Sequence, residues 1–401
     1  MNKYLLFLMT LFISHVSAAY DVTDNLKLHG FFTQNAVYSS NNNMYGDSKN
    51  SVSTDFTEAG LNVFYSPWDK LSFSFQGLYR NAGQVDNDTL DVDYAFADVT
   101  LGEYEQGRYG LRLGRIKNPL GLYNETRDVA FTTPSIILPQ GIYYDRSRSL
   151  LLSSDGGQFY FAHLMDSGDI SVKINYGKPR NDNDELLDAV IPYPTSKIPF
   201  YPSGNLESSS SDLAVIGQIS YERNGGETIY AFSFADASLK YDPEYNDRFT
   251  AGTTDFRLYI FSAQYNGEKF SLTAEYLYQE NDFKDFGPLY PDADPSSESW
   301  YLQAGYRVKP NWQIYARYDE NYVDKDDRNG KQNDSIGTPR HLAFSKDAML
   351  GVRWDINPSV MLRAEYHNIN GTSWLTSADN PDRSKTEQYW DLFALQLSLR
   401  F

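Results

Sequence analysis

Residues 300–318 read WYLQAGYRVKPNWQIYARY, and this stretch decides the fold. From Trp300 to Val308 every second residue is apolar or aromatic, and most residues between them are polar or small. The same alternation resumes at Trp312, after the turn-forming Lys309-Pro310-Asn311. Successive side chains of a β-strand point to opposite faces of its sheet. The stretch therefore predicts two neighbouring strands, each with one apolar face and one polar face.

This alternation recurs along most of the chain, for example in 348–356 and 360–366. Short connections rich in Gly, Asn and Pro alternate with long polar connections such as 324–345 and 370–386. Eight long loops and seven tight turns predict sixteen strands. The predicted strands are 26–38, 56–65, 70–80, 90–101, 107–117, 153–164, 170–177, 212–223, 227–238, 254–265, 269–280, 298–308, 311–323, 346–356, 359–369 and 387–401.

Strict alternation of short turns and long loops is the plan of an outer-membrane barrel. The composition agrees, because 32 Tyr, 24 Phe and 6 Trp accompany a mean hydropathy of −0.53. A membrane barrel needs an apolar outer face with aromatic girdles, whereas its lumen and loops are polar. The sequence therefore predicts an all-β fold, a 16-stranded antiparallel transmembrane β-barrel with short periplasmic turns and long extracellular loops. A soluble sandwich with its apolar faces inside is the alternative.

The segment 393–401, FALQLSLRF, bears on this choice. Barrel closure requires the last strand to pair with the first, and this regular apolar alternation suits such a strand. In a soluble protein the same segment would expose a long apolar edge to aggregation.

The first residues predict export. Lys3 precedes the short apolar core Leu5–Ile13, which is followed by the small-residue pattern Val16-Ser17-Ala18. We therefore expect a signal peptide at 1–18 and one barrel domain at 19–401, with an N-terminal anchor helix as the alternative. The chain contains no Cys, so neither a lipoprotein nor a disulfide is expected. The expected location is the bacterial outer membrane, in contact with its lipid and lipopolysaccharide.

A formal net charge of −18 argues against nucleic acid as a partner, because phosphate binding requires a basic face. Acidic runs such as 324–334 have the character of solvated loops. His29, His163, His341 and His367 lack metal-ligand spacing, and no phosphate-binding Gly-rich loop is present. We therefore expect neither a metal nor a cofactor.

The run Arg108–Leu122, RYGLRLGRIKNPLGL, carries a family resemblance. It resembles a motif of the phosphate-selective porin O/P-like superfamily of Gram-negative outer membranes, which includes dicarboxylate-channel relatives. The resemblance implies passive diffusion of small hydrophilic solutes through a barrel whose long third loop folds into the lumen. It also implies that Phe401 serves as an assembly signal and that the protein is a homotrimer.

The third loop, 118–152, has no periodic pattern, and loops of such length are uncommon unless they are functional. Its centre, Pro134–Pro139, is apolar, which favours a loop tucked against the barrel wall. A loop packed over the barrel mouth is the alternative. The hypothesis places a pore constriction here, with basic and acidic side chains opposed. The candidates are Arg115, Lys117, Arg127, Arg146 and Arg148, facing Glu125, Asp128 and Asp145.

The polar faces of the predicted strands supply candidates for the lumen wall. These are Arg112, Lys173, Arg307, Arg317, Arg353, Arg363, Glu275 and Asp319. Charged rings select ions in a channel, and a slight basic excess predicts a weak preference for anions such as phosphate or dicarboxylates. The alternative is that these charges pair across neighbouring strands and only keep the wall polar.

Other functions of an outer-membrane barrel make different demands on the sequence. A barrel lipase would carry a His-x-Ser pair on its outer face, and the only such pair is His15 and Ser17, inside the predicted signal. We therefore expect no enzyme. A non-conducting structural or adhesive barrel is the principal alternative, although sixteen strands leave room for an aqueous channel.

Overall fold

The computed structural model describes residues 20–180, 205–207, 213–245, 247, 249–288, 291–335 and 337–401. The predicted signal peptide, 1–18, lies outside the described residues.

Sixteen antiparallel strands form one closed barrel, because each pairs with the next along the chain and the last pairs with the first. The barrel strands are β2 (Leu26–Ser39), β3 (Val52–Trp68), β4 (Leu71–Ala82), β5 (Thr89–Tyr104), β6 (Gly107–Lys117), β7 (Ser153–Met165), β8 (Gly168–Pro179), β10 (Ala214–Arg223), β11 (Thr228–Asp242), β12 (Thr253–Asn266), β13 (Phe270–Lys284), β14 (Ser296–Lys309), β15 (Trp312–Tyr322), β16 (Phe344–Asn357), β17 (Val360–Gly371) and β18 (Tyr389–Arg400). Short β1 (Tyr20–Thr23) extends the pairing at β2, and β9 (Asn205–Glu207) pairs with β11.

The predicted fold and strand count are confirmed, with some differences at the strand ends. The largest concerns β3, which runs from Val52 to Trp68 rather than 56–65. The connection between the predicted strands 56–65 and 70–80, Ser66-Pro67-Trp68-Asp69, was expected to be a tight turn, but the strand continues to Trp68 through a register shift between Tyr65 and Trp68. Proline is tolerated in a sheet at such irregularities. The short strands β1 and β9 were not predicted.

The described α-helices are short segments within the long connections: α1 (Arg148–Leu152) and α2 (Lys331–Ser335). The described 3-10 helices are Ala130–Thr132, Asp145–Ser147, Arg340–Ala343 and Arg383–Lys385. None of the helices in the described ranges has the length and apolar character needed to span a bilayer.

The outer face of the barrel is apolar and the inner face is polar, as the alternation predicts. On β14, Leu302 is 47% exposed, whereas the neighbouring Tyr301 and Gln303 are buried. Outward ion pairs between adjacent strands mark the loop-side edge of the apolar surface. Arg257 lies 3.9 Å from Asp236 and 3.6 Å from Glu280.

The sequence of β12 does not show which of its two faces is the outer one, because both faces carry apolar side chains. In the structure Phe261 points outward and is 55% exposed, whereas Phe256, Leu258 and Ile260 are buried. The buried side chains belong to an apolar cluster that includes Leu138 of the third loop. The inner face of this strand is apolar because the loop brings an apolar surface to meet it.

Candidate functional site

The third loop lies inside the barrel. This segment, residues 118–152, leaves β6 after Lys117 and returns at Ser153 of β7, and we call it the inserted loop. Its polar groups hydrogen-bond to inward side chains on opposite sides of a closed wall, which places it within the lumen. The wall partners are Arg80, Lys117, Ser154, Lys173, Asn175, Gln218, Ser233, Glu275, Gln264, Gln303, Arg317, Arg363 and Glu365.

Glu275 of β13 provides the first anchor of the inserted loop. Its carboxylate accepts a hydrogen bond from the backbone N–H of Leu122 at 2.9 Å and one from the Tyr143 hydroxyl at 2.6 Å. Tyr301 and Ser262 on neighbouring strands donate to the same carboxylate at 2.7 and 2.6 Å. A buried carboxylate requires this many donors, and here two of the four come from the loop.

The second anchor holds the middle of the loop against β15 and β17. Arg363 donates to the carbonyl oxygens of Thr133 at 2.7 Å and Ser135 at 2.9 Å, and also to that of Ala130. Glu365 accepts from the backbone N–H of Ile136 at 2.6 Å. Both wall residues are almost fully buried, so their charges are satisfied by backbone groups of the loop.

Arg317 completes the second anchor. Its guanidinium donates to the Ile137 carbonyl at 2.8 Å and pairs with Asp319 at 2.7 Å and Asp347 at 3.3 Å. His367 lies between Asp347 and Glu365, at 2.7 and 3.2 Å. This buried network ties the middle of the loop to three adjacent strands.

The third anchor is an ion-pair network between the two ends of the loop and the β4–β6 wall. Asp145 pairs with Arg127 at 2.9 Å and Arg80 at 3.4 Å. Asp128 pairs with Lys117 at 2.5 Å and also with Arg148. All six side chains are less than a tenth exposed. These charged side chains are therefore neutralised by one another and are not exposed to water in the lumen.

Burial shifts the pKa values of two inserted-loop residues in these anchors, Tyr143 and Arg148. It raises the pKa of Tyr143 well above its ordinary value, and the nearby charge of Glu275 adds to the effect. Burial also lowers the pKa of Arg148 well below its usual value, with repulsion from Arg80 and Arg127 as further causes. Because like charges lie close to Arg148, its charged form depends on the ion pair with Asp128.

The structure divides the predicted constriction residues among several locations. Lys117, Arg127, Arg148, Asp128 and Asp145 meet in the third anchor. Glu125 instead lies 2.6 Å from Lys173 on the β8 wall, where both side chains are partly exposed. Arg146 is buried and donates to the Tyr144 hydroxyl at 3.0 Å.

Arg115 does not belong to the lumen, which corrects its predicted placement. Its side chain pairs with Asp155 at 2.8 Å on the outer face of the wall. Register explains this position, because Arg115 shares strand parity with Leu111 and Leu113, which are exposed outward, and is still paired with β5. Lys117 has the same parity but lies beyond the last β5–β6 pair, where its side chain reaches Asp93 and Asp128.

Most of the predicted lumen residues do lie on the inner face, but they are paired. Arg112 contacts Asp98 at 2.8 Å, and Arg353 contacts Asp355 at 2.9 Å. Arg307 is exposed near the turn end and donates to the Glu268 carbonyl at 2.5 Å. Glu275, Arg317, Asp319 and Arg363 are the anchor residues already described. Phe401 exchanges two backbone hydrogen bonds with Gly30 of β2, each 3.0 Å long.

Sequence reasoning missed Arg80 and three further residues of the third anchor. Glu58 pairs with Arg80 at 3.0 Å, Asp93 pairs with Lys117 at 2.7 Å, and the Tyr45 hydroxyl donates to Asp145 at 2.6 Å. The alternation of their strands could have assigned Glu58 and Arg80 to the lumen, because each has the same strand parity as the polar residues of its strand. No local signal points to Tyr45, which lies in a different loop.

Each of the sixteen barrel strands has at least one inward side chain that is less than a tenth exposed. One such residue from each strand, in chain order, is Asn35, Glu58, Arg80, Asp93, Lys117, Gln158, Asn175, Ile216, Ser233, Ser262, Glu275, Ser299, Arg317, Asp347, Arg363 and Gln396. The inserted loop therefore crosses a lumen whose wall is closely packed at the level of the loop.

Solved structures share this architecture. The outer membrane channel DcaP of Acinetobacter baumannii aligns over 96% of this chain and 100% of its own, with 13% identity and a TM-score of 0.56. An anion-selective porin from Comamonas acidovorans aligns over 94% and 98%, with 14% identity and a TM-score of 0.55. The fold is that of an outer-membrane porin. Salmonella typhi OmpF, solved in complex with daunomycin, aligns over 96% and 100% with 17% identity and a TM-score of 0.54.

Comparison of the sequence adds no closer relative. No family model matches the chain, and no curated protein matches it.

Proposed function

We propose that this protein is an outer-membrane channel through which small hydrophilic solutes diffuse passively. The observation that carries the proposal is the division of side chains by the closed wall, apolar outside and polar inside. Such a wall is stable only where hydrocarbon surrounds it, and sixteen strands enclose a lumen wide enough for water. The inserted loop narrows that lumen and thereby limits solute size.

The outer membrane is the proposed location, with lipid and lipopolysaccharide around the barrel and a homotrimer as the assembly. The exposed outer residues Phe261, Leu302 and Leu350 support contact with hydrocarbon. We also propose that the protein acts without catalysis, because the ionisable side chains of the inserted loop engage the wall and one another.

A weak preference for anions is the finer part of the proposal. It is supported by the resemblance of residues 108–122 to a motif of the phosphate-selective porin O/P-like superfamily, and by exposed inward bases such as Arg307 and Arg400 at the turn end. The pairing of Lys173 with Glu125 and of Arg112 with Asp98 argues that the preference is small. In a KCl gradient across a planar bilayer, we expect a reversal potential slightly towards the chloride equilibrium.

The test of conduction is swelling of liposomes that contain the purified protein, in glycine, phosphate, succinate and larger oligosaccharides. We expect the small solutes to enter and the entry rate to fall steeply with solute size. Absence of both swelling and single-channel current in folded protein would refute the channel.

A non-conducting barrel is the second candidate, and the close packing at the level of the loop favours it. Deletion of the centre of the inserted loop separates the two functions. A channel conducts before the deletion and conducts more after it, whereas a plugged barrel conducts only after it.

A further inference from the structure

An aromatic surface lines one part of the polar lumen. Phe64 of β3 and Phe96 of β5 both face inward, and they flank Ser74 of β4 in one lateral row. We call Phe64, Ser74 and Phe96 the aromatic trough. Phe64 is 38% exposed, and Phe96 is half-buried. Apolar rings in contact with water inside a channel cost free energy, so their presence calls for an explanation.

The register fixes the inward direction of the trough. Ser74 lies directly opposite Phe64 on one side and Phe96 on the other, and residues opposite each other in an antiparallel pair share a face. That face is the inner one, because the Arg112 guanidinium lies 5.2 Å from the Phe96 ring and also contacts Gln158, which is fully buried in the inner wall. Ser74 is the smallest of the three residues, so no third large side chain stands between the two rings in this row.

Polar groups border the trough on three sides, and one of them is the exposed Lys27 of β2, directly opposite Phe64 on the same face. The Oδ1 atom of Asn62, two residues from Phe64, is buried and has no hydrogen-bond donor among the described residues. On the other side Arg112 is neutralised by Asp98 at 2.8 Å. A ligand suited to this border therefore offers a hydrogen-bond donor to Asn62 and an acceptor to Lys27. It needs no negative charge for Arg112, because Asp98 already neutralises that side chain. Hydroxyl groups can fill both the donor and the acceptor role.

The inserted loop leaves this wall accessible. Its polar contacts in the described part of the chain spread over β4, β6–β8, β10–β15 and β17, and on β4 the partner is Arg80, at the loop side. Ser74 lies six residues closer to the turn end of the same strand. The trough thus faces the vestibule between the turns and the loop.

We propose that the aromatic trough binds the ring of a carbohydrate, with the apolar C–H face of the sugar on Phe64 and Phe96 and its hydroxyl groups at Asn62 and Ser74. Aromatic rings attract the positively polarised C–H groups of such a face, and a few polar groups fix its orientation. This inference rests on the proposed function, because solutes must reach the vestibule. Sugars are then the solute class that the channel concentrates.

Saturation-transfer NMR on the detergent-solubilised barrel tests the site without requiring conduction. The probes are glucose and sorbitol, which carry similar hydroxyl groups, but only glucose has a ring. We expect saturation to reach the glucose ring protons and to be at least about fivefold weaker for sorbitol, as expected for a stacking contribution of about 1 kcal/mol. Single-channel recording in KCl on the same preparation tests the channel separately.

The matched variants are Phe64→Ala/Phe96→Ala inside the barrel and Phe73→Ala/Phe75→Ala outside it on β4. We expect the inner pair to abolish the glucose signal and the outer pair to keep it, with folding of both checked by heat-modifiable electrophoretic mobility. Equal signals from glucose and sorbitol, or a glucose signal that survives the inner pair, would overturn the proposal. Binding of benzoate in place of glucose would also overturn it, and would assign the trough to aromatic acids.

Discussion

Arg363 is a buried cation that is stabilised by hydrogen bonds to the inserted loop. It is 1% exposed, and its guanidinium lies among carbonyl oxygens of the inserted loop. The two terminal amino groups of the guanidinium donate to these acceptors, and removal of the cation leaves the acceptors without donors. Arg363 therefore contributes strongly to holding the middle of the inserted loop against β17.

Arg363→Met should destabilise the folded barrel by about 2–4 kcal/mol and expose the inserted loop to protease. Arg353→Met is the matched control, because Arg353 lies directly opposite on β16 and is partly exposed, with Asp355 as its partner. We expect Arg353→Met to destabilise the folded barrel by less than about 1 kcal/mol. Urea unfolding in lipid vesicles and limited chymotrypsin digestion measure the difference, and equal effects of the two substitutions would contradict the second anchor.

Tyr143 gives the first anchor a pH dependence. Its pKa is raised, mainly by burial, so the folded state keeps the proton after the unfolded chain has begun to lose it at about pH 10. The stability that the hydroxyl supplies is therefore fully present below about pH 10 and declines as the pH rises further.

We expect the free energy of unfolding of Tyr143→Phe to fall less steeply between about pH 9.5 and 11.5 than that of the unmodified protein. At neutral pH the variant should lose about 1–3 kcal/mol, because Glu275 loses a donor in a buried site. Tyr306→Phe, on the exposed outer face, serves as the control. Parallel pH profiles for Tyr143→Phe and the unmodified protein would show that the hydroxyl makes no such contribution.

The strands are the elements that the sequence predicts well, because alternation is a local property that each segment carries by itself. β6 was predicted at 107–117 and is observed there. The inserted loop could be located from its length and its apolar centre, but its partners could not be identified. Glu275 and Tyr143 are distant in the sequence and meet only when the barrel closes. Arg115 was misplaced because its charge was weighed above its strand parity.

Two adjacent residues of β10 allow the assignment of the lipid-facing and lumen-facing sides to be tested within one strand. Ile219 points outward and is 49% exposed, whereas the adjacent Ser220 points inward and is partly exposed. Ile219→Arg should cost about 2–4 kcal/mol in lipid vesicles, because the guanidinium would meet hydrocarbon. Ser220→Arg should cost less than about 1 kcal/mol, since its charge reaches the lumen. A reversed order would mean that the faces are assigned wrongly.

The whole molecule has no free edge among its barrel strands, because β18 pairs with both β17 and β2. Closure provides backbone partners within hydrocarbon and also creates the enclosed space that the inserted loop occupies. The three anchors sit on different arcs of the wall, on β13, on β15–β17 and on β4–β6. An open sheet could not hold one loop at all three.

Closure can be tested with cysteines, since the natural sequence contains none. Leu395 lies directly opposite Ala36 of β2 and also opposite Ala364 of β17. Opposed residues of antiparallel strands are about 4.5–5.5 Å apart at Cα, within the range of a disulfide. Oxidation should therefore join Ala36→Cys/Leu395→Cys as well as Ala364→Cys/Leu395→Cys in the folded protein. An open sheet would join only the second pair, and the circular link made by the first would be missing on non-reducing gels.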